Sequence, residues 1–87
     1  MSASKVEIYT KWGCGYCARA KALLDSKGVA YEEYDVTMGG PKKTEMLERV
    51  PQARTVPQIF IDGEAVGGSD DLAALEGSGK LNALLGL

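Results

Sequence analysis

The sequence predicts an α/β fold in which a four-stranded mixed β-sheet is flanked by helices, in the order β-α-β-α-β-β-α with a short extra helix at the C-terminus. Three features predict it. Residues 5–10 alternate polar and apolar with β-branched members, the period-two signature of a strand, and give way within a few residues to a helical pattern. Residues 31–36 read as a second strand and complete a β-α-β unit, whose crossover is almost always right-handed with parallel strands. Asp62-Gly63, set between two strand-like runs, is a strong two-residue hairpin signal and demands an antiparallel pair. A parallel pair followed by a hairpin implies a mixed sheet with helices on both faces.

Each element has a local cause. After the first strand, Cys17, Ala20, Leu23 and Leu24 recur at helical spacing, with Lys27 near the end and Gly28 as C-cap. The second strand is polar enough to lie at a sheet edge. Gly39-Gly40 break the chain and Pro41 suits the first position of a second helix. Met46, Leu47 and Val50 predict its apolar side, and Lys42, Lys43, Glu45, Glu48 and Arg49 a solvated one. Pro51 ends that helix, and residues 52–57 lead into a third strand at residues 58–61 whose apolar run predicts burial on both faces. Glu64-Ala65-Val66 returns as its antiparallel partner, and Gly67-Gly68 allow a sharp exit. Ser69 is predicted to cap a third helix with Asp70 and Asp71 in its positive first turn and Leu72 and Leu75 as its buried stripe. Gly77 and Gly79 interrupt, and Leu81, Leu84 and Leu85 lie on the final short helix.

With 87 residues and 45% apolar side chains, residues 1–87 are expected to form one small domain. The net charge of −2 argues against nucleic acid or an anionic membrane as partner. Its distribution says more. Residues 1–30 carry Lys5, Lys11, Arg19, Lys21 and Lys27 against Glu7 and Asp25, a net +3, which leaves −5 for residues 31–87. No apolar run resembles a secretory leader or reaches transmembrane length, so a cytoplasmic protein is expected. Histidine is absent, which removes Cys-His nucleophile pairs, haem attachment through C-x-x-C-H and mixed Cys/His zinc sites within one chain.

Both cysteines stand in Cys14-Gly15-Tyr16-Cys17, at the junction between the first strand and the first helix. A helix start presents backbone N–H groups with no intrahelical acceptor and about half a positive charge. A sulfur at Cys14 facing those donors is favoured as thiolate. Cys17 lies one turn on, and a spacing of three on a helix puts Cα atoms roughly 5–6 Å apart, within disulfide range. Cys14 is expected to be exposed and reactive, Cys17 more sheltered. In a reducing compartment a lone C-x-x-C is more often catalytic or metal-binding than a structural bridge, and after the first strand of this pattern it reads as a thioredoxin-like redox motif.

From residue 5 to about residue 85 the sequence resembles a glutaredoxin of the small bacterial dithiol type. The resemblance is carried by Val6-Glu7-Ile8-Tyr9-Thr10-Lys11, by the C-x-Y-C motif, by residues 54–63 (Arg-Thr-Val-Pro-Gln-Ile-Phe-Ile-Asp-Gly), and by Gly67-Gly68-Ser69-Asp70-Asp71-Leu72. It implies a thioredoxin-like fold and a glutathione-dependent thiol-disulfide oxidoreductase. Cys14 would be the nucleophile and Cys17 the resolving thiol; the partners would be glutathione and glutathionylated or disulfide-containing proteins. Pro57 would be cis, as in the family, turning the Val56 backbone toward the site beside Thr55. Lys11 and Arg54 would contact the glycine carboxylate of glutathione, and Tyr16 would flank the tripeptide. Gly68, Ser69 and Asp70 would receive its γ-glutamyl end, although a plain helix cap also explains Ser69-Asp70-Asp71.

Two departures stand out. Relatives commonly have proline between the cysteines where this chain has Gly15, so a reduction potential does not transfer. Glycine or serine there also occurs in relatives that hold a [2Fe-2S] cluster between two monomers, which makes Cys14 with glutathione an alternative cluster ligand; a monomer is expected otherwise. Ser69 stands where many relatives carry a third cysteine. Two further readings compete. Copper carriers place C-x-x-C after a first strand but follow a βαββαβ order, whereas two helices here precede the hairpin. A redoxin served by thioredoxin reductase would lack the paired glutathione anchors.

Overall fold

The computed structural model describes residues 4–87; the opening of the region read as lacking a secretory leader, residues 1–3, lies outside them. Eight elements follow in the predicted order: β1 (Val6–Thr10), α1 (Gly15–Ser26), β2 (Glu32–Asp35), α2 (Pro41–Arg49), β3 (Gln58–Ile61), β4 (Glu64–Gly67), α3 (Ser69–Gly77) and α4 (Leu81–Leu85). The sheet runs β2-β1-β3-β4, with β1 and β2 parallel and the other pairs antiparallel. The polar second strand is at an edge, as its composition predicts. Among the described residues no helix is long and apolar enough to cross a membrane.

Each sheet face buries its own cluster. On one side Val6, Ile8, Ile59 and Ile61 meet Ala20 and Leu24 of α1, Leu72 of α3 and Leu81 and Leu85 of α4. On the other, Tyr9 and Phe60 pack with Val36 and with Met46 of α2. Ion pairing between Lys27 Nζ and Glu76 Oε1 at 2.6 Å links α1 to α3.

The alternation in β1 is real, but its polar members do not face water. Glu7 is 7% exposed and Thr10 3%, because helices cover both faces. Glu7 is paired from across the molecule. Arg49 Nη2 lies 3.1 Å from Glu7 Oε1, Arg49 Nη1 donates to the Tyr9 hydroxyl at 2.9 Å, and the guanidinium sits 3.7 Å over the Phe60 ring. Tyr34 donates its hydroxyl to Glu7 Oε2 at 3.0 Å, and Tyr9 donates to Glu45. The expected solvated helix face therefore needs correcting. Arg49 follows Met46 by three positions and shares its inward side, while Leu47, assigned to the apolar side, is exposed.

Removing either partner of this pair strands the other in a low-dielectric setting, which costs roughly 3–5 kcal/mol when burial is complete. Arg49 keeps some solvent contact, so Arg49→Met is expected to cost about 2–3 kcal/mol by urea unfolding. The Arg49 hydrogen bond, opposed by burial, holds the Glu7 carboxyl below its ordinary 4.5. Folding thus favours the ionised form; the gain is whole at neutral pH and is lost as pH falls from 4.5 through the lowered value. The stability gap between the parent and Glu7→Gln should narrow over that acid range.

Candidate functional site

The site begins where β1 ends. Gly13 takes φ of 75°, a left-handed turn open to glycine, and Cys14 N–H donates to Lys11 C=O at 3.3 Å. Cys14 is then the N-cap of α1, in extended conformation, and its Sγ accepts the Cys17 N–H at 3.3 Å. Sulfur takes the part a serine or aspartate oxygen plays at most helix starts. Cys17, one turn on, is 1% exposed, and both residues are free thiols.

Their environments separate the two thiols. The Cys17 thiol donates toward Cys14 and holds it below its ordinary value; the Cys17 and Tyr16 backbone N–H groups and the Lys11 charge act the same way, against a burial contribution that raises it. Burial foremost, then the Cys14 sulfur, pushes Cys17 up to about 11. The pair is thus divided into one thiol that ionises readily and one that holds its proton.

The chain returns to Cys14 through the loop before β3. The Val56-Pro57 peptide is cis, and Val56 C=O lies 3.7 Å from Cys14 Sγ. Val56 precedes the strand ladder, whose pairing starts at Gln58. Gln58 Nε2 donates to Thr55 C=O at 2.8 Å and holds this loop, a contact the sequence did not suggest beyond a polar residue opening an apolar strand.

Two clefts flank the cysteines. One, of about 600 Å³, is lined by Tyr16, Arg54, Thr55, Val56, Pro57, Gly68, Ser69 and Asp70, so it gathers eight of the residues singled out from the sequence. Lys11 is not among them. It lines a second groove of about 420 Å³ that also holds Cys14, Cys17, Lys21 and Glu33. Cys14 stands at the divide, within reach of Val56 on the first side and open to the second. Trp12, 85% exposed, also borders the second groove, and no periodicity flagged it.

The start of α3 forms the far wall of the first cleft, and here too an expectation is corrected. Gly68, not Ser69, is the N-cap, and Ser69 is the buried first helical residue. Asp71 Oδ2 accepts the Gly68 N–H at 3.0 Å, so the capping group comes from the third helical position. Gly67 makes this possible: its φ is 114°, and a Cβ there would run into the Asp71 carboxylate. Among the described residues no three His, Cys, Asp or Glu side chains converge as a metal site.

At neutral pH iodoacetamide should modify Cys14 roughly 100-fold or more faster than Cys17, because thiolate fraction changes about tenfold per pKa unit. Mass spectrometry of the partly labelled chain locates the adduct. A second label, on Cys17, should appear far more slowly and quicken as pH rises toward about 11.

Comparison with known proteins agrees with this geometry. The glutaredoxin family model matches residues 6–66. Over 82 residues the chain is 52% identical to Glutaredoxin 3 of Escherichia coli K12, covering 94% of this chain and 98% of that protein. It is 49% identical over 79 residues to Glutaredoxin 1 of Rickettsia prowazekii, with 90% and 83% covered. The solution structure of a glutaredoxin from Brucella melitensis matches with a TM-score of 0.83 at 52% identity, over 98% of this chain and 91% of that one. The glutathione complex of buckwheat glutaredoxin matches with a TM-score of 0.83 at 31% identity, over 95% and 77%. A cysteine pair split into a ready and a reluctant thiol, carried on this sheet and matched at this identity, makes the chain a member of the glutaredoxin family and a thiol-disulfide oxidoreductase.

Proposed function

We propose that the chain is a glutathione-dependent oxidoreductase that reduces glutathione mixed disulfides and protein disulfides, with Cys14 as nucleophile and Cys17 as resolving thiol. The observation that carries this reading is the position of Cys14, a helix N-cap whose Sγ lies 3.7 Å from the carbonyl of Val56, a residue that lines a cleft of tripeptide size. The cleft's walls suit glutathione in order. The Ser69 and Asp70 backbone N–H groups at the start of α3 offer an anion site for the γ-glutamyl carboxylate, and the Asp70 side chain offers a counter-charge for its ammonium. The Val56 backbone, outside the sheet ladder, is placed to pair with the cysteinyl backbone as a short added strand. Arg54 from within the cleft and Lys11 from across the cysteine divide meet the glycine carboxylate, while Tyr16 closes one side. The glutathione complex of the buckwheat relative supports the assignment.

The chemistry follows from the thiol split. Cys14 thiolate attacks the glutathionyl sulfur of a mixed disulfide; the protein thiolate leaves with the bond's electron pair, and Cys14 becomes glutathionylated. A second glutathione thiolate attacks that glutathionyl sulfur, releasing glutathione disulfide and restoring Cys14. With a protein disulfide, Cys14 forms the mixed disulfide and Cys17 then attacks Cys14 Sγ. This closes Cys14–Cys17, releases the second substrate thiolate and transfers two electrons. Such chemistry suits a reducing compartment such as the cytoplasm.

Cys14→Ser should abolish glutathione-coupled reduction of a glutathionylated peptide, whereas Cys17→Ser should retain much of it and lose most turnover of a protein disulfide. Full activity in the Cys14 variant would sink the proposal. Asp70→Ala should raise KM for glutathione by about fivefold to tenfold with kcat little changed, the scale of one charge-assisted contact at an exposed site.

A further inference from the structure

In the reading above glutathione draws only Lys11 from the second groove, yet the buried Cys17 opens onto the same groove together with Lys21, Glu33 and Thr10. Lys21 follows Cys17 by four residues on α1, so the two share a helix face one turn apart. Lys21 Nζ is held 3.0 Å from Glu33 Oε2, and the same oxygen accepts the Thr10 hydroxyl at 2.7 Å. Thr10 is 3% exposed at the end of β1. The clamp therefore runs from a buried strand residue, through an edge-strand carboxylate, to the ammonium.

We propose that Lys21, clamped by Glu33 and Thr10, is a positioning residue for the resolving step, a cation kept on the Cys17 side of the divide to stabilise the thiolate that Cys17 must form. This rests on the dithiol role proposed for Cys17. In the step concerned, Cys17 gives its proton to water in the groove and its thiolate attacks Cys14 Sγ. The Cys14–substrate S–S bond breaks, the leaving thiolate takes the electron pair, and the Cys14–Cys17 bond forms.

The other charged groups do not supply this role. Those lining the groove are Lys11 from the loop after β1, Cys14 at the N-cap of α1, Lys21 on α1, and Glu33 and Asp35 from β2. Lys11 acts on Cys14, whose thiolate it favours. The carboxylates oppose an anion at Cys17, and Cys14, bonded in the mixed disulfide, carries no charge at this step. Burial works against Cys17 ionisation as well; the Lys11 backbone N–H and then the Lys21 charge are set against it, and of these Lys21 is the side-chain cation. In the reading above Lys11 is engaged by the glycine carboxylate of glutathione, which leaves Lys21 as the groove's cation for Cys17.

The test uses the full chain glutathionylated at Cys14, following glutathione release as the Cys14–Cys17 bond closes, across pH. Lys21→Met should slow closure about threefold to tenfold at neutral pH, the scale of one partly screened cation near a titrating group, and move the pH midpoint of closure upward. Lys21→Arg should restore most of the rate. The Lys21→Met effect should vanish in a Cys17→Ser background, read as glutathione-driven turnover of a glutathionylated peptide. Unchanged closure in Lys21→Met, failure of arginine to rescue, or an equal loss in the Cys17→Ser background would each overturn the proposal. A parent chain that accepts glutathione at Cys14 but never closes would overturn the dithiol role of Cys17, and this inference with it.

Discussion

The hydrogen bond from the Cys17 backbone N–H to Cys14 Sγ is the contact on which the functional end of this molecule depends. It makes the first cysteine part of the secondary structure. Because sulfur caps α1, the helix start favours an anion on the atom proposed as the nucleophile of thiol exchange. The arrangement works without histidine, since the proton affinity of Cys14 is lowered by backbone donors, the neighbouring thiol and Lys11. Cys17 has the opposite fate through position alone. One turn deeper, it loses solvent and keeps its proton.

That cap is only as steady as the strand that delivers it. β1 is central in the sheet and buried along its whole length, and its two polar interior residues are tied down on opposite faces. Glu7 is anchored to Arg49 and Tyr34 beneath α2, and Thr10 to Glu33 on the α1 side. Both ties cross between elements distant in sequence. Buried polar groups of this kind contribute little net stability but are costly to disrupt, so they restrict how β1 can shift relative to its neighbours. The strand ends in register, and the turn through Gly13 hands the chain to α1 at a defined place.

The two clefts divide the chemistry by geometry. The cis Val56-Pro57 peptide and the start of α3 line one flank, a cleft of about 600 Å³. The other flank is a groove of mixed charge beside the buried thiol. In the proposed mechanism a substrate disulfide held at Cys14 has a recognition side and a resolving side, and different residues govern each.

Much of this was legible in the linear order of residues. Period-two and helical patterns, Asp62-Gly63 and the glycine breaks specified the element order and the edge position of β2, because local backbone preference and burial pattern are short-range properties. The C-x-x-C spacing at a strand-to-helix junction specified which atoms face the helix start. What only the tertiary structure decided was partnership. Arg49, read as a solvated charge, pairs with Glu7 42 positions away, and helix periodicity cannot reveal that a sheet passes beneath. Asp71 took the cap from Ser69 because Gly67 and Gly68 bring the Gly68 N–H over its carboxylate. Lys11, grouped with Arg54 by motif, lies across the cysteine divide from it. Sequence determined the elements and the reactive sulfur; packing chose which charges meet, since contacts between distant segments depend on how whole faces fit together.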